Sequence, residues 1–344
     1  MRPFCGLFAE RVHYLALKAM FPDSRPRRLR TTPAMRELVA DTRLSVKDFV
    51  APLFVREQGD SAVPIKSLPG VVQHTLKSLK DEVVQLRDLG VPGVILFGIP
   101  AKKDEIGSGA FDPDGIVQRA LAELRNDVGD SMVLMADLCV DEYTSHGHCG
   151  ILNSRGDVDN DATVEIYAKA AVAQARAGAH IVAPSGMMDG QVGAIRNALD
   201  ESTFSDVAIL AYSAKYASGL YGPFREAVEV QIAGGGDRKG YQQDYRNTRE
   251  AIREVLADVD EGADMVMVKP ALTYLDILAD VRAAVDVPVA AYQVSGEYAM
   301  VKAAAANGWI DHDAVALEQL TAIKRAGASF ILTYFARWFA ENHG

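Results

Sequence analysis

From Phe49 onward the chain alternates short, almost wholly apolar runs with longer segments whose apolar residues recur at helical spacing. The runs are FVAPLFV (49–55), GVILFGI (93–99), MVLMADLCV (132–140), HIVAPS (180–185), VAILAYSAK (207–215), ADMVMVKP (263–270), VPVAAYQVS (287–295) and FILTYF (330–335). Their apolar residues do not alternate with polar ones, as expected of strands buried on both faces of a parallel sheet. The intervening periodicity predicts helices over 75–89, 115–128, 162–177, 191–199, 246–261, 274–285, 297–306 and 313–326. Gly90, Gly178, Gly262 and Gly327 close four of them, where a C-cap favours a left-handed residue. Eight strand–helix units over about 290 residues predict a (β/α)8 TIM barrel spanning 46–344. No Gly-rich phosphate loop follows the first strand, which sets aside a dinucleotide-binding open sheet.

Residues 1–45 stand outside that repeat and read as an N-terminal extension. Glu10, Arg11 and His13 interrupt any signal-peptide core within 1–24, so a helical or disordered extension is expected there, with an organelle transit segment as the alternative. Next, Arg25, Arg27, Arg28 and Arg30 form a basic run suited to a solvated face or to an acidic neighbouring subunit.

Composition narrows the class. Of 344 residues, 49% are hydrophobic and 24% charged, which fits a packed globular protein and not a disordered one. The net charge of −10 offers no electrostatic basis for a nucleic-acid partner. Apolar runs such as the MVMV beginning at Met265 fall far short of the roughly 18 residues of a membrane span, so no membrane partner is expected. The three cysteines, Cys5, Cys139 and Cys149, make no disulfide framework and fit a reducing, cytoplasmic setting.

In a barrel, chemistry gathers at the C-terminal ends of the strands. Those positions carry Asp137 and Cys139, then Ser185, Lys215, Lys269, Ser295 and Tyr334. Lys269 leaves the apolar MVMV run directly into the barrel mouth, where lost hydration should lower its pKa and populate the free amine. Lys215 ends the neighbouring strand. A second ammonium nearby further disfavours charge on the first, activating it toward a ketone. A lone strand-end lysine could instead snorkel to solvent or pair with an acid, but two on adjacent strands point to Schiff-base chemistry. Strand three runs on into DLCVDEYTSHGHCG, where alternation puts Asp137, Cys139 and Asp141 on one side. Should the loop return Cys149 to them, two thiolates and a carboxylate could hold zinc in preference to magnesium. His146 and His148 could be ligands or hydrogen-bonding neighbours, and the cysteines could be plain core residues.

Lys269, Lys215 and this stretch, with RPRRLR (25–30), VAPSGMMDG (182–190), YGPFREA (221–227), GDRKGYQ (236–242), GADMVMVKPALTY (262–274) and YQVSGEYAM (292–300), closely resemble the porphobilinogen synthase (5-aminolevulinate dehydratase) family. The resemblance implies condensation of two 5-aminolevulinate molecules to porphobilinogen, with loss of two waters. It assigns Lys269 to the Schiff base with the first substrate, Ser295 and Tyr334 to that molecule's carboxylate, and Lys215 to the second substrate. Arg225, Arg238 and Gln242 match the second carboxylate's clamp, and Asp137 and Ser185 match pocket residues. In the metal loop, Asp141 stands where zinc-dependent members carry a middle cysteine, which implies weaker zinc binding by Cys139 and Cys149, with Asp141 as third ligand or reached through water. Glu254 matches an allosteric magnesium position, although Glu250 and Glu254 could equally form a solvated i,i+4 face. The family also implies a homo-octamer embraced by the N-terminal arm. A class I aldolase shares the lysine and the barrel but has no need of the second lysine or the cysteine loop. An idle scaffold barrel has no need of desolvated amines.

Overall fold

The computed structural model describes Pro22, residues 24–233 and residues 236–344; the expectations for 1–21, including Cys5, lie outside the described residues. The chain forms two units, the first ending at Arg43 and the second running Leu44–Gly344. The first unit holds a 3-10 turn, Pro26–Arg30, and a short helix, Pro33–Leu38. Thr32 caps that helix, its side chain accepting from the Met35 amide.

The second unit is a closed parallel barrel. Its strands are β1 (Phe49–Arg56), β4 (Gly93–Ile99), β5 (Val133–Leu138), β6 (Ile181–Pro184), β7 (Ala208–Lys215), β8 (Met265–Lys269), β9 (Val289–Gln293) and β10 (Phe330–Thr333). Each pairs in parallel with the next, and β10 closes on β1 through Phe49↔Ile331 and Val50↔Leu332. The upper half of β1 instead carries an added ribbon, β2 (Val63–Pro64) and β3 (Val72–His74), which the apolar pattern does not announce. All of β4 and β9 is buried, as a sheet covered on both faces requires.

All eight expected helices form, at Leu76–Asp88, Ile116–Val128, Asn160–Arg176, Gln191–Glu201, Arg249–Asp260, Leu275–Ala284, Ser295–Ala306 and His312–Arg325. Two boundaries differ instructively. Residues 246–248 stay outside the helix because Asp244 accepts from the Arg246 amide and pairs with its guanidinium, an Asx turn competing with the first helical turn. Ser295 opens a helix that the pattern starts later, because β9 ends at Gln293. Short helices Gly222–Ala227 and Ala336–His343 were not anticipated. Gly262 and Gly327 adopt φ of 108° and 120° at two of the helix-to-strand turns, a region costly for any residue with a Cβ.

Candidate active site

The two lysines meet because β7 and β8 are paired at their ends, Lys215 opposite Lys269. The register is not uniform. Ala211 faces Val266 but Ala214 faces Val268, so β7 carries one extra residue in a bulge just before Lys215. The bulge is held from the following loop, where the Gln243 side-chain amide donates to the Ser213 carbonyl at 3.1 Å and its backbone amide to Lys215 O.

Lys269 is 5% exposed and boxed by aromatic rings, with Nζ 4.4 Å from the Tyr292 centroid, 4.9 Å from Tyr212 and 5.3 Å from Phe224. Burial, aided by the Lys215 charge, brings its pKa down to about 7. Lys215 goes the other way. Burial opposes its ammonium, but Cys149, Cys139, Asp137 and Asp141 outweigh that and raise its pKa; Nζ also donates to the Ser185 carbonyl. One amine is therefore available as a nucleophile while the other remains a cation.

Below them, one ligand atom from each of Cys139, Asp141 and Cys149 lies within 4.8 Å of the others, all three residues buried. Two sulfurs and a carboxylate suit a borderline-soft ion such as zinc, and the donor set fits poorly to magnesium. Burial alone would raise the Asp141 carboxyl; the Arg238 guanidinium, 2.7 Å away, instead holds it well below the usual carboxylate range. Against the same burial penalty, a hydrogen bond from Cys139 and the Arg238 charge lower the Cys149 thiol to about 7. Burial pushes Cys139 upward. The histidines are not in the cluster: His146 lies 3.1 Å from the Glu105 carbonyl, and His148 Nδ1 lies 3.2 Å from Tyr241 Oη.

Asp137, Asp141, Ser185, Lys215, Arg225, Arg238, Lys269, Ser295 and Tyr334 all line one cavity at the barrel mouth. Ser185 Oγ donates to Asp137 at 3.0 Å, and burial raises the Asp137 carboxyl. Tyr334 Oη lies 3.2 Å from Tyr292 Oη. Ser295 Oγ accepts from the Phe224 amide at 3.0 Å, pinning the helix Gly222–Ala227 over the mouth. Leu220 crosses directly above Gly296, where an added Cβ would lie 2.8 Å from its Cα. Leu220 and that helix belong to residues 216–245, whose glycine, tyrosine and charge content makes this loop the expected lid over the site.

Arg238 does not pair with Asp237, nor Arg225 with Glu226. Gln242 lies beside them, lining an adjoining cavity with Arg225, Arg238 and Lys239. Glu254 lies elsewhere, in a wide cleft with Asp157, Asp189 and Glu250, where burial, with Asp189 and Glu250, raises its carboxyl. The lining residues Phe97, Tyr221, Phe224 and Tyr292, and Tyr212 beside Lys269, were not singled out from the sequence. Tyr212 and Tyr292 stand within two strand runs, where an aromatic reads as ordinary core.

A desolvated amine beside a retained ammonium at the mouth of a (β/α)8 barrel, with an arginine and a thiol–carboxylate cluster adjoining, defines an enzyme of imine chemistry on carboxylate-bearing ketones. The family model for delta-aminolevulinic acid dehydratase matches residues 23–342. Dehydratases of that name from Streptomyces coelicolor and Mycobacterium tuberculosis strain H37Rv are 61% and 58% identical, across 94% and 92% of this chain and 98% and 96% of theirs. The crystal structure of a Toxoplasma gondii delta-aminolevulinic acid dehydratase in complex with its product porphobilinogen superposes with a TM-score of 0.91 at 44% identity, covering 94% of this chain and 92% of that one. This chain belongs to the delta-aminolevulinic acid dehydratase family.

Proposed function

We propose that the chain condenses two molecules of 5-aminolevulinate into porphobilinogen, with Lys269 as the imine-forming residue. The observation that carries this is the pairing of a lysine lowered to about 7 with a second, charged lysine across one strand register. Lys269 Nζ attacks the first substrate's ketone, and loss of one water leaves the imine. The carbon beside the second substrate's ketone gives up a proton and bonds to the imine carbon, the electron pair passing to the lysine nitrogen. The first substrate's amine condenses with that second ketone, a second water leaves, and proton loss aromatises the ring as Lys269 departs as free amine. Ser295 and Tyr334 take the first carboxylate. Lys215, Arg225, Arg238 and Gln242 hold the second molecule, the arginines through charge-assisted bonds. Fixing both substrates removes much of the entropic barrier to joining them.

Cys139, Asp141 and Cys149 would hold zinc, whose chemistry is to polarise a substrate carbonyl or accept its amine. Asp141 already pairs with Arg238 and accepts side-chain hydrogen bonds from Glu142 and Cys139, so a bound ion would take the place of the Cys139 proton. Glu254 with its acidic neighbours supports an allosteric magnesium. The N-terminal arm supports a homo-octamer, and the sparse thiols a cytoplasmic site.

Borohydride trapping in the presence of 5-aminolevulinate, followed by mass mapping, should label Lys269, and Lys269→Ala should form no pyrrole. Turnover by that variant would overturn the assignment. Elemental analysis should find zinc; its absence, with full activity after exhaustive chelation, would remove the metal role. An aldolase would be trapped at Lys269 yet release no pyrrole.

A further inference from the structure

Glu297 is completely buried, carries no part of the cavity wall and has no role in the chemistry above. Its carboxylate accepts three backbone amides from two different places. Oε2 takes Val294 N at 2.6 Å and Ala271 N at 3.5 Å; Oε1 takes Leu272 N at 2.6 Å. Val294 directly precedes Ser295, and both line the cavity. Ala271 and Leu272 follow Lys269 by two and three residues, at the exit of the neighbouring strand.

The Val294 bond alone would be an ordinary helix cap, with Glu297 at the third position of the helix Ser295–Ala306. The Leu272 bond is not needed for that. It crosses from β9 to the end of β8 and fixes the segment from which the Lys269 side chain is projected. Burial raises the Glu297 carboxyl to about 7 while the three amides hold it down, so the bonds oppose the burial penalty. The same helix start also holds the lid, through Ser295 Oγ to Phe224 N and through Gly296 beneath Leu220.

We propose that Glu297 is a positioning residue for the imine lysine: it clamps the β8 exit to the β9 exit so that Lys269, Ser295 and the lid segment keep one geometry. This rests on Lys269 being the imine-forming residue. A displacement of about 1 Å at a reacting group can cost on the order of a hundredfold in rate, so the clamp acts on rate more than on affinity.

Glu297→Asp separates clamp from cap. An aspartate at the third helical position suffices for the cap in this chain, since Asp48 Oδ2 accepts from Ser45 N at 2.8 Å. It is one methylene too short for Leu272. The full-length variant should still fold cooperatively, with an unfolding midpoint only modestly lowered by the amide left unpaired. It should lose roughly tenfold or more in kcat and in the rate of borohydride trapping at Lys269, with KM less affected. The pH midpoint of trapping should rise as Nζ relaxes from its aromatic box. Trapping rate and midpoint equal to wild type overturn the clamp. If the variant does not fold, amide exchange in the wild-type enzyme decides: Leu272 should exchange as slowly as Val294, and a rapidly exchanging Leu272 overturns the proposal. A wild-type enzyme not trapped at Lys269 sinks the imine reading and this proposal together, whereas normal wild-type trapping with an unaffected Glu297→Asp sinks this one alone.

Discussion

Lys269 and Lys215 are the same residue type, set opposite each other, and their surroundings drive them to opposite protonation states. Burial and a neighbouring cation depress one; the cysteines and carboxylates nearby sustain the other. Because the attacking species is the neutral amine, imine formation should be constant above a pH of about 7 and fall as pH drops through it, about tenfold per unit well below. Single-turnover borohydride trapping from pH 5 to 9 measures this; a limb centred near the ordinary lysine pKa would contradict the lowered value. The Arg238–Asp141 pair is buried on both sides, at 7% and 4% exposure. Removing one member strands a buried charge, so Arg238→Ala and Asp141→Ala should each cost about 3–5 kcal/mol. The double variant should cost less than the sum, and additivity in urea unfolding would show that the pair is not coupled.

At the scale of elements, the extra residue in β7 brings Lys215 level with Lys269. Gln243→Leu deprives the buried Ser213 carbonyl of its side-chain donor and should cost about 1–3 kcal/mol. Activity should fall through the second substrate, read as a raised KM with Lys269 trapping unchanged. Loss of trapping would mean that the bulge serves Lys269 instead. The lid depends on a close approach that only glycine permits. Gly296→Ala should push Leu220 off the helix start and break the Phe224–Ser295 bond, raising KM and increasing proteolytic nicking within 216–245. An unchanged KM and digestion pattern would show that the segment does not rest on that contact.

At the scale of the molecule, every cavity-lining residue named above belongs to the barrel unit beginning at Leu44. Deleting residues 1–43 should therefore leave a folded barrel that still forms the imine at Lys269. The proposed homo-octamer should give way to smaller assemblies with lower turnover, as measured by light scattering and pyrrole formation. An intact octamer with normal turnover would remove the arm from the account of assembly.

Much of this protein is written locally. Eight strands and eight helices follow from apolar periodicity, because burial on one or two faces imposes its repeat on consecutive residues. Strand ends could be read the same way, which is why Lys215, Lys269, Ser185 and Tyr334 stand out in the bare sequence. The β2–β3 ribbon and the two extra short helices did not, being too short to show a period. What the sequence could not express is which polar atoms meet. Arg238 reaches Asp141 instead of its neighbour Asp237, Gln243 supports a bulge on β7, and Glu297 joins the exits of β8 and β9. Those contacts join residues far apart in the chain. The protonation states of the two lysines depend on the low-dielectric space and the charges assembled around them, so only the closed barrel decides them.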